Sequence, residues 1–343
     1  MLIYVFILIA LMIGLFIKNR KFKNFYEKFL IFLLIIVAGI RIVGTDFMSY
    51  KFYYLNIDSD VCKRLDVGCK FIMNISYFIF KENYAGFFML SSAITLICIY
   101  NTLKKEKKNV MFSIILFVLL GFYANSFNIM KQCISLAITF WSIRYLNNKT
   151  PIKYCMCIFI AACIHQTSII MLPFYWISKK KITKKSFIKI SVISIILLLF
   201  FDKFFNIFTS IEQYKMYNTY DIGIDAGIGT YLNIMFFGTL QLLCVLRYKN
   251  LIKINDKNKQ YINIMIFSIP FLLVSIKNVL FFRMSLYFLI YLIMVLPDLF
   301  DGMERKCKYL VAFILLIVCI TYYFMNIYYF GGLYPYKSIF SIY

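Results

Sequence analysis

The sequence is short of charge and short of the motifs that soluble enzymes use. Only 15% of its 343 residues are charged, against about a quarter in an ordinary water-soluble domain. That excludes a single soluble core. No P-loop, GxGxxG, HExxH or GxSxG pattern occurs, so the usual signatures of nucleotide binding, zinc proteolysis and nucleophile-elbow hydrolysis are missing. The ten cysteines contain no CxxC pair. Cys98, Cys133, Cys155, Cys157, Cys163, Cys244 and Cys319 fall in apolar stretches and read as small hydrophobes. Cys62 and Cys69 stand in a polar segment as a candidate disulfide whose geometry the sequence leaves open. Internal repeats, low-complexity tracts and linkers are absent.

What the chain has in excess is apolar and aromatic surface, 62% and 20% of its residues. The apolar runs recur along its whole length. At about 15 to 20 residues per crossing, helices are expected near 2–17, 29–43, 84–103, 110–126, 129–146, 152–165, 166–178, 186–201, 231–247, 260–276, 283–297 and 309–327. The fold class is therefore all-α: a polytopic bundle of about twelve transmembrane helices forming one integral membrane domain over residues 1–343. The pair flanking His165 is short enough to be half-helices or a tight hairpin.

A net charge of +23 would suggest nucleic acid in a soluble protein, but its distribution points elsewhere. Polar segments at 18–28, 104–108, 144–153, 179–189, 247–259 and 298–308 hold 26 of the 38 Lys and Arg against six of the 15 acids. All six clusters fall on one side of the expected topology, which is the positive-inside pattern and needs no nucleic-acid partner. Leu2 to Ile17 has no basic residues before it and a basic cluster after it. It reads as a retained anchor with both chain termini outside.

Two outer segments are long enough to carry structure. The first, 44–83, contains an expected interfacial amphipathic helix over Val67 to Phe80; the second, 202–230, carries Tyr214, Tyr217, Tyr220, Asp221 and Asp225 with Gly223, Gly227 and Gly229. Asp58-Ser59-Asp60 copies the metal-binding DxD triplet, but without a surrounding α/β domain it reads as a solvated loop.

Ionisable groups at or inside apolar helices are costly unless paired or solvated, so they mark functional candidates. Here they are Arg41 with Asp46, Lys131 with Gln132, His165 with Gln166, and Lys277 with Arg283, all on the outer side of the expected topology. Arg41, Lys131, Lys277 and Arg283 suit a pyrophosphate, Arg through its bidentate fork and Lys as a point charge. Asp46 or His165 is the candidate general base for a sugar hydroxyl. Bland readings stand beside these. Arg41 is placed to snorkel, His165, the only histidine, is placed to pack between helices, Lys131, Gln132 and Asn128 are placed for helix-to-helix hydrogen bonds, and Arg283 and Tyr287 share a helical face.

Four stretches carry a resemblance. They are Gly39-Ile40-Arg41 with Gly44-Thr45-Asp46 and Tyr50; Asn128 to Gln132 with the run to Leu146; Ile160 to Ser168 with Leu172-Pro173; and Arg283 to Tyr291 with Tyr334-Pro335-Tyr336-Lys337. The chain resembles the EpsG family of Wzy-like polymerases of exopolysaccharide, capsule and O-antigen repeat units. The family usually has Arg-Gln where this chain has Lys131-Gln132, which keeps the charge and loses the fork. The resemblance implies an architecture similar to C-type membrane glycosyltransferases and no metal cofactor. It also implies transfer of a growing glycan from undecaprenyl pyrophosphate to the non-reducing end of a lipid-linked repeat unit. Gln132, Gln166, Tyr287 and Tyr336 are then expected to contact substrate, and a chain-length-regulating co-polymerase is an expected partner besides membrane lipids. The competing readings are a flippase of lipid-linked sugar, which should line both halves of the membrane with polar groups, an O-antigen ligase and a structural subunit.

Overall fold

The computed structural model describes residues 1–342 except 60–61, 63–64, 108, 181–183, 204–226, 302 and 304. Lys108 and Lys181 of the basic clusters, Asp60 of the DxD triplet and nearly all of the second outer segment therefore lie outside the described residues. The described chain is all-helical apart from one isolated β-bridge. Its helices cluster as two compact units, residues 1–172 with 303–343, and residues 173–302.

The first unit begins with α1 (Leu2–Phe16) and α2 (Arg20–Gly39). The Asn19 side chain starts α2 by accepting from the amides of Lys21 and Phe22 at 3.0 and 3.1 Å, which satisfies two of the donors that every helix start leaves open. Short α3 (Phe47–Leu55) and α4 (Val67–Phe80) follow, the latter where the amphipathic pattern placed it. Next come α5 (Tyr84–Glu106), α6 (Val110–Leu119), α7 (Phe122–Asn128), α8 (Met130–Trp141), α9 (Ile143–Asn147) and α10 (Pro151–Ile164). Pro151 opens α10 at the position where a missing amide proton costs nothing. A 3-10 turn (Gln166–Met171) leads out of the first pass through this unit.

The second unit holds α11 (Phe174–Ile177), α12 (Lys184–Leu199), α13 (Ile228–Leu246), α14 (Tyr248–Ile254), α15 (Asn258–Met265), α16 (Ser268–Val274), α17 (Leu280–Leu289) and α18 (Leu292–Leu299). Within it, α16 packs on both α12 and α17. The chain returns to the first unit with α19 (Arg305–Met325), a π turn (Asn326–Phe330) and a C-terminal segment.

Among the described residues three helical stretches are long and apolar enough to cross a membrane: Tyr84–Glu106, Ile228–Leu246 and Cys307–Tyr329. The pairs α6 with α7 and α17 with α18, bent by 51° and 52°, bring the number to five if each is one broken span. Shorter apolar helices at Leu2–Phe16, Val67–Phe80, Pro151–Ile164 and Ser186–Leu199 fall below that length. The difference from an expectation of about twelve lies partly in these short helices and partly in local breaks. The expected span 110–126 is broken at Gly121, which takes φ +80°, and 260–276 is split between α15 and α16. The apolar faces fit a lipid solvent: α1 leaves Phe6, Ile9 and Ile13 exposed, α12 Ile188, Val192 and Leu199, and α19 Leu310, Phe313 and Ile317. In water such faces would drive aggregation.

The core of the first unit forms where α5 packs against α2, α4 and α8, and α8 against α10. Gly39 allows the close approach of α2 to α5, since a Cβ there would stand 2.9 Å from the Met89 backbone. Several hydroxyls inside this core find backbone partners. Ser92, Thr95 and Thr102 return their hydroxyls to carbonyls four residues back, and Ser135 reaches across to Ala161 O at 2.9 Å. At the basic end, Lys104 pairs with the buried carboxylate of Glu27 at 2.8 Å, joining α5 to α2.

Candidate functional site

The turn after α2 brings the first group of candidates together. Arg41 is completely enclosed, with its guanidinium over the rings of Phe127 and Phe88 at 4.6 and 4.9 Å. It donates to Ala38 O, and through Nη2 to Phe127 O at 3.0 Å, while Nε is buried with no partner. This is neither a snorkelling arginine nor a solvent-open one. It is a buried cation that closes the carbonyl end of α2 and ties it to the end of α7.

The C-terminal segment covers that turn. Ile42 N donates to Lys337 O at 2.8 Å and Ile339 N to Ile40 O at 2.9 Å, forming an antiparallel bridge between Arg41 and Ser338. Tyr336 donates its hydroxyl to Val37 O at 2.8 Å, and Tyr4 meets its ring edge-on at 5.8 Å while donating to Leu333 O. Partial burial pushes the Tyr336 phenol up to about 12, with the Arg41 cation opposing, so it remains a donor at neutral pH. Asn128 locks the assembly: its Nδ2 donates to Gly331 O at 2.7 Å, and its Oδ1 accepts from Thr45 N at 2.9 Å. Gly44 makes this possible with φ +114°, because a Cβ there would lie 2.8 Å from Asn128 Oδ1 and 2.9 Å from Phe127 O.

Asp46 is the next link. It stands half-buried at the start of α3, where its Oδ1 accepts from Thr45 Oγ1 at 3.2 Å. Phe47 behind it stacks on Phe88 at 5.0 Å, the same ring that lies beneath Arg41. One turn on, buried Tyr50 accepts the backbone N–H of Lys131 at 3.3 Å. The Lys131 ammonium donates to Asp66 at 2.7 Å, at the start of α4. Gln132, beside it, is buried.

His165 reaches the same neighbourhood from α10. A Cβ on Gly68 would stand 2.9 Å from the Cys163 carbonyl and 2.7 Å from Ile164, so the first turn of α4 presses on the chain immediately before His165. His165 ends α10 in extended backbone, its N–H returning to Ala161 O, and is half-buried; Gln166 after it is exposed. Asp46, Tyr50, Lys131, Asp66 and the backbone leading to His165 are thus linked through α3, α8, α4 and α10. Asp66 escaped the sequence reading. Its only signal was its place just before the amphipathic helix.

Lys277, Arg283 and Tyr287 belong to the second unit. Lys277 is exposed and 3.5 Å from Asp202. Arg283 and Tyr287 share α17, the former half-buried and the latter fully buried. Among the described residues no three His, Cys, Asp or Glu side chains cluster as metal ligands. Cys62 and Cys69 are free thiols, and Cys62 Sγ donates to the carbonyls of Tyr53 and Asn56.

The chemistry available in the first unit is that of a half-exposed ammonium, a carboxylate at Asp46 and an imidazole, framed by tyrosines. Such a set can bind an anion and accept a proton. The family model described as the EpsG family matches residues 24–338. Neither a curated protein nor a solved structure matches the chain.

Proposed function

Because the chain belongs to the EpsG family, we propose that it is a membrane polysaccharide polymerase acting on lipid-linked repeat units at the outer face of the bacterial inner membrane. In this reading all twelve expected stretches lie in the membrane and both termini face outward. The donor is a glycan on undecaprenyl pyrophosphate and the acceptor the non-reducing end of a second lipid-linked unit. The acceptor hydroxyl forms the new bond to the anomeric carbon and loses its proton to Asp46 or His165. The bond from that carbon to the pyrophosphate oxygen breaks, and the pyrophosphate lipid leaves with the electron pair. Lys131 offsets its charge, and Gln132, Gln166 and Tyr336, which belong to the same unit, shape the sugar site. Enclosed Arg41 acts at one remove, by holding the turn that carries Asp46. A chain-length-regulating co-polymerase is the expected partner.

The observation that supports this most is the extent of the family match, which takes in Arg41, Asp46, Lys131, His165, Arg283 and Tyr336 together. The test is complementation of a polymerase-null strain that carries the matching repeat-unit pathway. Wild type should restore long glycan, and Asp46→Asn, Lys131→Ala, His165→Ala and Arg283→Ala at equal membrane abundance should be compared with it. Single lipid-linked repeats accumulating outside the membrane in inactive variants support the polymerase. Repeats trapped on the cytoplasmic face when the protein is missing would assign it as a flippase instead.

A further inference from the structure

Resting on the polymerase reading, we propose that Asp66 is a positioning residue: it holds the Lys131 ammonium so that its remaining donors meet the phosphoryl oxygens of an anionic ligand. Asp66 occupies the start of α4, where an aspartate ordinarily accepts from the first amides of its own helix. It makes no such bond and takes the Lys131 ammonium at 2.7 Å instead. The side chain has forgone a stabilising cap for this contact. Lys131 in turn has three N–H donors, of which Asp66 engages one. Its side chain is 31% exposed, whereas that of Asp66 is 14% exposed, so the carboxylate backs the cation and the cation faces outward.

Both ends of the pair are anchored. Lys131 N is bonded to the buried Tyr50 hydroxyl, and Gly68, two residues beyond Asp66, is pressed on the Cys163 carbonyl. A lysine on its flexible four-carbon stem is otherwise a poor substitute for the planar fork of arginine. Clamping by a carboxylate restores the fixed direction that the fork would have supplied. The carboxylate also repels an anion, so it gives up affinity for orientation. That sets an unusual expectation, since neutralising Asp66 should leave anion binding intact or tighter while slowing turnover.

The experiment uses the full-length purified protein with two readouts, calorimetric binding of inorganic pyrophosphate, and KM and kcat on lipid-linked repeat units in proteoliposomes. Asp66→Asn should bind pyrophosphate as well as wild type or better and lose about tenfold or more in kcat; Lys131→Ala should bind pyrophosphate about tenfold more weakly. The exchanged pair, Asp66→Lys with Lys131→Asp, should remain monodisperse and inactive. Recovery of activity in the exchanged pair, a wild-type kcat in Asp66→Asn, or pyrophosphate binding indifferent to Lys131 would each overturn the proposal. If wild type makes no polymer from a matched repeat unit, the polymerase reading fails by itself. The binding arm then still decides whether Asp66 and Lys131 form an anion site.

Discussion

Gly44→Ala is the sharpest test of the assembly around Arg41. At φ +114° an L side chain is strained whatever the space, at a cost of about 1 to 3 kcal/mol. Space is also missing, because the new methyl would lie 2.8 Å from Asn128 Oδ1 and 2.9 Å from the Phe127 carbonyl oxygen. Asn128 can turn away only by releasing Thr45 N and Gly331 O, at about 1 kcal/mol per hydrogen bond. The Phe127 carbonyl is held by Arg41 and cannot yield cheaply. The total is about 3 to 5 kcal/mol, or about 4 to 7 °C in melting temperature for a chain of 343 residues. The assay is thermal unfolding in detergent, read by a thiol-reactive fluorophore that reports exposure of the buried cysteines. Gly227→Ala and Gly238→Ala are the controls, since neither would meet any atom within 4 Å. If Gly44→Ala melts with the controls, the turn is not clamped as described, and the indirect role given to Arg41 loses its basis. If it melts early, polymer formation should fall with it, because Asp46 is two residues away.

Further expectations concern neighbouring parts of the fold. Asn128→Ala should destabilise by about 1 to 2 kcal/mol and speed proteolytic cleavage within residues 331–339, where its amide is bonded. The raised Tyr336 phenol means that the fold favours its neutral form: the associated stability is whole below the ordinary tyrosine value near 10 and is lost as pH climbs through about 12. Tyr336→Phe should flatten the fall in melting temperature across that window. Lys104→Ala leaves the Glu27 carboxylate buried without its cation and should cost about 1 to 3 kcal/mol. Adding Glu27→Gln should recover part of that loss, measured as a double-mutant cycle in melting temperature.

Hydropathy made the helices legible. The expected stretch 84–103 lies within α5, and the amphipathic segment became α4 over the expected residues. What a hydropathy window cannot register is where a long apolar run bends, and so it shows neither the break at Gly121 within 110–126 nor the division of 260–276 between α15 and α16. Arg41 was singled out correctly as unusual, yet both readings of it assumed access to water or lipid headgroups. Enclosure by Phe88, Phe127 and a chain segment near position 338 has no local signature. Asp66 was invisible for a related reason: its partner lies 65 positions away, and a lone carboxylate in a polar segment looks like any solvated one. Asp46, Lys131 and His165 stood out as candidates because charge beside apolar helices is rare enough to notice.

The bond between Tyr336 and Val37 joins residues 299 positions apart, and protein synthesis runs in one direction. Residues 40–42 enter the bilayer early, while the residues that pair with them emerge from the ribosome only after nearly all the other helices have been threaded. Throughout translation the Arg41 turn is therefore half-built, and a message broken late yields a chain that inserts normally but lacks the clasp. Synthesis through residue 339 is thereby made a condition of assembling the turn that leads to Asp46.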